Sequence, residues 1–554
     1  MSALASFESQ RLAATQDFAH TMIVVDDEAW KAHPRAPAPH SGLRRPTRVK
    51  RANNQDIQQE LFLIRHALDT EALIDAAMTL GFVCSVVRPP KKKSIKLQVG
   101  SAARRADIIC LDWELHSDAG DSATKIIAEI VRSDERHNGR LRLIAIYTGD
   151  TNNNQILDKV FNALPKAYRE KYGLKKDAVR IESNHGLRIV CLFKAHGVQL
   201  GDARKDRQVK ETDLPMRLQK EFALLAGGLL SNVALATIAS IRESTHHVLG
   251  KMTASMDAPY FHHRATIPTV SDAEEYSVNV VLSDLKNAID KQGVAHKYAG
   301  PIAISARIRE IAEGAATLRL RYEANGVAKE FDVGIDEAIK LVIEGTAVGH
   351  GKIAGEKPAA KIFAREITTL FTKDHGSARS AMKEFAVLTG IRAYPRSHLY
   401  REGGKLPQLG LGTIVQSQKG VYLLCLQASC DSVRVKKQAT FLFVPLDIEN
   451  GKPDHVVPVL GRGKSVRCVG LSMPDTPYAR SLSLLFASDQ VTQTVLAKKL
   501  KRRRGLFFAT TKGERYKWIA DLKQRRALRA AQKLGQSLGR IGFDEFEPFR
   551  QSGN

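Results

Sequence analysis

Four short apolar runs, each ending on a particular polar side chain, constrain this chain more than anything else in it. Ala106-Asp107-Ile108-Ile109-Cys110-Leu111 stops on Asp112, with Trp113, Glu114 and Leu115 following. Met22-Ile23-Val24-Val25 stops on Asp26-Asp27, Leu143-Ile144-Ala145-Ile146-Tyr147 on Thr148, and Ile189-Val190-Cys191-Leu192-Phe193 on Lys194. Runs this short and this continuous read as parallel strands buried on both faces. Open parallel sheets gather their chemistry at the carboxyl ends of such strands. In chain order the ends offer an acid pair, an acid, a hydroxyl and a lysine.

That set resembles the receiver domain of bacterial response regulators, a flavodoxin-like, doubly wound parallel α/β sheet, over residues 18–200. The resemblance implies that Asp112 accepts a phosphoryl group from a histidine kinase. It also implies that Asp26, Asp27, Asp112 and the backbone carbonyl of Glu114 hold Mg²⁺, that Thr148 is the switching hydroxyl, and that Lys194 pairs with the phosphoryl group. Gly120 falls where the family has its loop glycine. Three positions depart from the family. Ala195 replaces the usual proline after the lysine, and Cys191 replaces the usual aromatic, with Tyr147 and Phe193 nearby. His116 and Ser117 occupy the region of another usual proline. These changes leave the phosphorylation set whole and touch the linkage by which the family switches.

Chemistry asks for these residue types independently. A carboxylate that attacks phosphorus needs its own charge, and that of the incoming oxygens, offset by a hard cation. Mg²⁺ binds oxygen at roughly 2.0–2.1 Å and keeps several waters, so two or three carboxylates suffice. The phosphoryl oxygens then need donors, which an ammonium and a mobile hydroxyl provide.

At 554 residues the chain has room for about three or four domains. Its net charge of +25 suits an acidic partner, most simply nucleic acid. Six cysteines and no secretory signal fit a reducing cytoplasm. Cys425 and Cys430 lack further ligands at zinc spacing and read as partly buried strand thiols.

Five regions are expected: a receiver-like domain with insertions over 1–205, a helical connector over 206–300, mixed α/β over 301–405, a β-rich barrel or sandwich over 406–490, and a basic helical segment over 491–554. The fold class is thus α/β receiver-like, then helical, then β-rich α+β. Within the first region Lys31 to Asn54 is too long for an ordinary βα loop, Arg88 to Lys93 with Arg104-Arg105 reads as a basic hairpin, and Lys166 to Arg180 is extra relative to a receiver. Phe222 to Ile241 carries no charge, but Gly227-Gly228, Ser231-Asn232, Thr237 and Ser240 suit a buried linking helix better than a membrane span. His246, His247, His262 and His263 read as surface or interface histidines. Gly349-His350-Gly351-Lys352 lacks the spacing of a phosphate-binding loop. Arg379 to Gly390 is helical, resembling the first half of a helix-turn-helix with no second helix. Ile519 to Leu538 reads as a helix with Lys523, Arg525, Arg526, Arg529 and Lys533 on it, and 498–533 mixes cations with aromatics as nucleic-acid surfaces do.

The leading expectation is a response regulator of a two-component phosphorelay, with a large output region and a receiver-type homodimer or partner face. No separate catalytic activity is legible. A second expectation is a pseudo-receiver scaffold whose basic C-terminal region holds nucleic acid or a protein. A phosphohydrolase is the weakest, because Asp112-Trp113-Glu114 lacks the second aspartate of the haloacid dehalogenase pattern.

Overall fold

The structure is a computed structural model that describes residues 6–30, 68–89, 95–137, 139–150, 153–183, 186–195, 202–267, 270, 272–353, 355–395, 406–461, 466–500 and 504–538. The expected loop Lys31 to Asn54, the lysines Lys91 to Lys93 and the C-terminal stretch after Leu538 lie outside them. The chain divides into two compact units, Met1–Leu318 with Val333–Lys357, and Arg319–Asp332 with Pro358–Asn554.

In the first unit, helix α1 (Phe7–Phe18), capped by Ser6, leads into β1 (Thr21–Val25). Then come α2 (Thr70–Thr79), β2 (Val83–Val87), α3 (Ile95–Ala103), β3 (Ile108–Leu111), α4 (Asp121–Arg136) and β4 (Arg142–Thr148). Next are α5 (Asn153–Ala163), α6 (Lys166–Lys171), β5 (Lys175–Lys176), β6 (Arg180–Glu182), β7 (Leu187–Lys194) and β8 (Gln208–Val209). The strands run in the order β2-β1-β3-β4-β7-β6-β5, with β8 alongside the end of β7. Pairing is parallel from β2 through β7. This is the receiver-like sheet that the strand ends lead one to expect.

Alternation places the two cores. Met22, Val24, Ile108, Cys110, Leu143 and Ala145 face one side, and Ile23, Val25, Ile109, Leu111, Ile144 and Ile146 face the other. Each side chain in β3 is fully buried, which explains why its sequence is continuously apolar. The stretch read as extra, Lys166 to Arg180, supplies α6 and the β5–β6 ribbon, whose β6 pairs antiparallel with β7. It covers what would be the sheet's exposed edge. Of the stretch read as a basic hairpin, Pro90 to Ser94 lie outside the described residues; Ile95–Ala103 is helix, and Arg104-Arg105 turn directly toward β3. A buried fork ties that turn down, since Arg142 donates to Asp134 at 2.8 Å through both Nε and Nη2 and to the carbonyls of Ala103 and Ala106.

The uncharged stretch Phe222 to Ile241 is two helices, α7 (Leu214–Leu225) and α8 (Leu229–Lys251), parted at Gly227-Gly228. No helix among the described residues is long and apolar enough to cross a membrane. Helix α8 packs against α1 and the helix Asp272–Lys291. The four histidines are exposed or half-buried, and His263 lies 4.9 Å from the Tyr276 ring.

The second unit takes in most of a two-stranded ribbon, β9 (Thr317–Ala324) with β10 (Val327–Gly334). Its main body is one antiparallel system. The strands are β11 (Ile391–Ala393), β12 (Thr413–Gln416), β13 (Tyr422–Cys425), β14 (Gln438–Ile448), β15 (His455–Leu460) and β16 (Val466–Ser472). They continue with β17 (Leu482–Ala487), β18 (Lys498–Lys499), β19 (Leu506–Ala509) and β20 (Arg515–Leu522). A bridge from Phe486 to Thr510 brings β17 to β19, so strands β13, β12, β20, β19, β17 and β14 curl around Phe441, Phe443, Phe486, Phe508 and Trp518.

Two local readings change here, those of Ile519 to Leu538 and of Cys430. The stretch from Ile519 is strand as far as Leu522, and only Gln524–Leu538 is helix. Tyr516 and Trp518 alternate inward while Arg515 and Lys517 do not, a period-two pattern that cationic residues disguised. The helix His375–Gly390 runs into β11, which pairs with β20, rather than into a recognition turn. Cys425 is a buried strand thiol, but Cys430 is exposed in the short helix Ser429–Ser432.

Candidate functional site

The carboxyl ends of β1, β3 and β7 converge because these strands share one sheet and one direction. Asp26 donates its backbone N–H to Val87, and Asp112 donates its own to Val25, so each acid is fixed where its strand stops. Lys194 closes β7 and is fully buried. Its ammonium lies 2.8 Å from Asp26 Oδ2 and 3.2 Å from Asp112 Oδ2. Asp26 Oδ1 accepts the Glu28 N–H at 2.8 Å.

Asp27 is held differently. Its Oδ2 accepts the backbone N–H of His116 at 3.0 Å and lies 3.3 Å from the same residue's Nδ1. Its Oδ1 is buried with no hydrogen-bond partner. His116 reaches this position from a left-handed backbone, φ 62°, which non-glycine residues adopt only when surroundings enforce it. In the sequence it stands only as a departure from the family, and nothing local marks it as a partner of Asp27.

Burial raises the pKa of Asp112 above the ordinary carboxylate range. The Lys194 ammonium opposes that rise, and the neighbouring Asp26 carboxylate adds to it. Lys194 is desolvated too, yet its pKa is raised, because Asp112 and Asp26 hold the proton on it. Three carboxyl groups thus face one ammonium. Ligand atoms of Asp26, Asp27 and Asp112 lie within 4.8 Å of one another. All are hard oxygen donors, one oxygen is orphaned, and the charge is unbalanced, so the set fits a small divalent cation such as Mg²⁺.

The remaining expected residues stand around this centre. Thr148 is fully buried at the end of β4, and its hydroxyl accepts the Asp150 N–H at 3.0 Å. Glu114 donates its N–H toward Asp112 Oδ1 at 3.4 Å, while its carbonyl accepts the Ser117 N–H at 3.3 Å. Asp26, Asp27 and Asp112 therefore gather at one point, with Lys194 in contact with Asp26 and Asp112. Thr148 and Glu114 flank them.

Sequence pattern alone did not assign a partner to Tyr147. Its buried hydroxyl donates to the Val209 carbonyl at 2.8 Å, and its ring lies 5.8 Å from the Lys194 ammonium. Val209 pairs with Lys194 in β8, and α7 begins five residues later. The strand that carries Thr148 is thereby tied to the connector.

Residues 18–199 match the family model described as the response receiver domain. No curated protein and no solved structure matches the chain.

Proposed function

A receiver domain occupies residues 18–199, and from that premise we propose that the chain is a response regulator phosphorylated on Asp112 by a histidine kinase. The observation that carries this reading is the buried Lys194 ammonium between Asp26 and Asp112, beside the unpartnered Oδ1 of Asp27. In the reaction a carboxylate oxygen of Asp112 bonds to phosphorus as the donor's P–N bond breaks, and the electron pair leaves with the histidine nitrogen. Lys194 offsets charge on the transferred oxygens, and Thr148 donates its hydroxyl to one of them. Asp26, Asp27 and Asp112, with the Glu114 carbonyl, would hold Mg²⁺, which supplies neutralisation of the like charges that meet there.

The phosphoryl group adds about 1.5–2 negative charges, by analogy with other phosphorylated side chains. Recruiting Thr148 strains the adjacent Tyr147–Val209 hydrogen bond and so biases α7 and α8. The α1–α8 interface suits such a role. Thr15 of α1 and Asn232 and Ser240 of α8 are buried with side-chain atoms that find no hydrogen-bond partner within the chain. Inverting a 1:99 equilibrium needs about 5.5 kcal/mol of differential interaction.

The test is labelling of the full-length protein by a small acyl phosphate with Mg²⁺, beside Asp112→Asn. Labelling lost in the variant is the expected result; equal labelling would remove Asp112 from its role. The second reading is a pseudo-receiver whose basic C-terminal region, 498–533, holds nucleic acid or a protein constitutively. It draws support from the near-complete burial of Asp112. Binding that ignores phosphorylation would favour it.

A further inference from the structure

The second unit contains a cleft of about 690 Å³ that the receiver chemistry does not use. It opens between the end of β15 and the start of β20. Pro458, Val459, Leu460 and Ile519 give it an apolar wall, while Arg467, Arg504 and Lys517 line it with cations. Arg467 and Arg504 are exposed and Lys517 is half-buried. Among the described residues no carboxylate lines the cleft and none of the three cations has an ion-pair partner. Elsewhere in this unit Arg480 pairs with Asp447 and Lys533 with Asp454. Gly505 lines the cleft at φ +110°, and a Cβ there would sit 3.2 Å from Lys517 Cε.

Three unneutralised cations beside an apolar wall call for an anion with an apolar body. The volume falls in the range of organic-ligand pockets, about 300–1,000 Å³. A single-stranded nucleic acid would want exposed aromatic rings to stack on. The one aromatic residue that lines the cleft, Trp518, is fully buried with its ring in the barrel core. We propose that this cleft binds a small organic polyphosphate, with the phosphates on Arg467, Arg504 and Lys517 and the apolar body against Pro458, Val459 and Ile519. This site would make the second unit a ligand sensor, independent of whether Asp112 is phosphorylated.

The experiment is a fluorescence titration of the full-length protein with trinitrophenyl-ATP, displaced by unlabelled ATP. Saturable binding is expected, weakened at least tenfold in Arg467→Glu and in Arg504→Glu. Both residues are exposed, so the variants should keep the wild-type melting curve, and Lys517→Ala provides a third variant without charge reversal. Binding should be unchanged in Asp112→Asn. No saturable binding, equal binding in all three cleft variants, or loss in Asp112→Asn would each overturn the proposal. So would displacement by inorganic pyrophosphate as effective as by ATP, which would leave the apolar wall without a role. A twenty-nucleotide single strand that binds through the same cations and excludes ATP would overturn it in favour of a nucleic-acid surface.

Discussion

Lys194 and Asp26 are 168 residues apart in the chain and 2.8 Å apart in the fold, both withdrawn from water. A buried pair of this kind holds its place only while each charge is answered. Here the answer is incomplete on the acid side, because Asp27 and Asp112 crowd the same space.

Lys194→Met should therefore be costly. Removing the ammonium leaves neighbouring buried carboxyl groups without their counter-charge, and stability should fall by about 3–5 kcal/mol. Added Mg²⁺ should recover more stability in this variant than in the wild type, since a ligand that binds only the folded state stabilises it by mass action. Urea denaturation of both proteins, with Mg²⁺ and with a chelator, measures this. An unchanged midpoint in the variant would mean that Lys194 is not what balances the acids.

Gly120 joins the strand-end loop to α4 with φ +82°, and the Trp113 indole lies over it. A Cβ at that position would come within 2.1 Å of the ring. Gly120→Ala must displace Trp113 from its place one residue after Asp112, besides straining the backbone. We expect a loss of about 1–3 kcal/mol and slower Asp112 labelling by acyl phosphate. Thermal melting and a labelling time course read the two effects separately.

His455 gives the second unit a dependence on pH. Burial depresses its pKa from 6.5 to about 4; Asp454 opposes the shift and Arg526 and Lys533 reinforce it. The folded state keeps the ring neutral while the unfolded chain takes up a proton below about pH 6.5. The stabilising contribution is thus present above pH 6.5 and is lost as pH falls toward 4, to a limit of about 3 kcal/mol. His455→Phe should flatten that slope in a melting series from pH 7.5 to 4.5. A parallel slope in the variant would assign the acid sensitivity to other groups.

Much of the first unit was legible in the order of residues. Continuous apolar runs that stop on Asp26-Asp27, Asp112, Thr148 and Lys194 specify strands, their burial and the end where chemistry collects, because a strand buried on both faces takes a polar residue only where a partner answers it. The uncharged stretch, read as a single buried helix, is instead two helices parted at Gly227-Gly228. What the sequence could not say is which strands lie side by side. Alternation fixes a side chain's face, but strand neighbours are chosen by contacts between distant segments, so β20 could pass for a helix until β12 and β19 paired with it. The turn of His116 onto Asp27, the tie from Tyr147 to Val209 and the cationic cleft beside β15 exist only in the folded chain. Each joins groups from separate elements, and no local pattern records such a meeting.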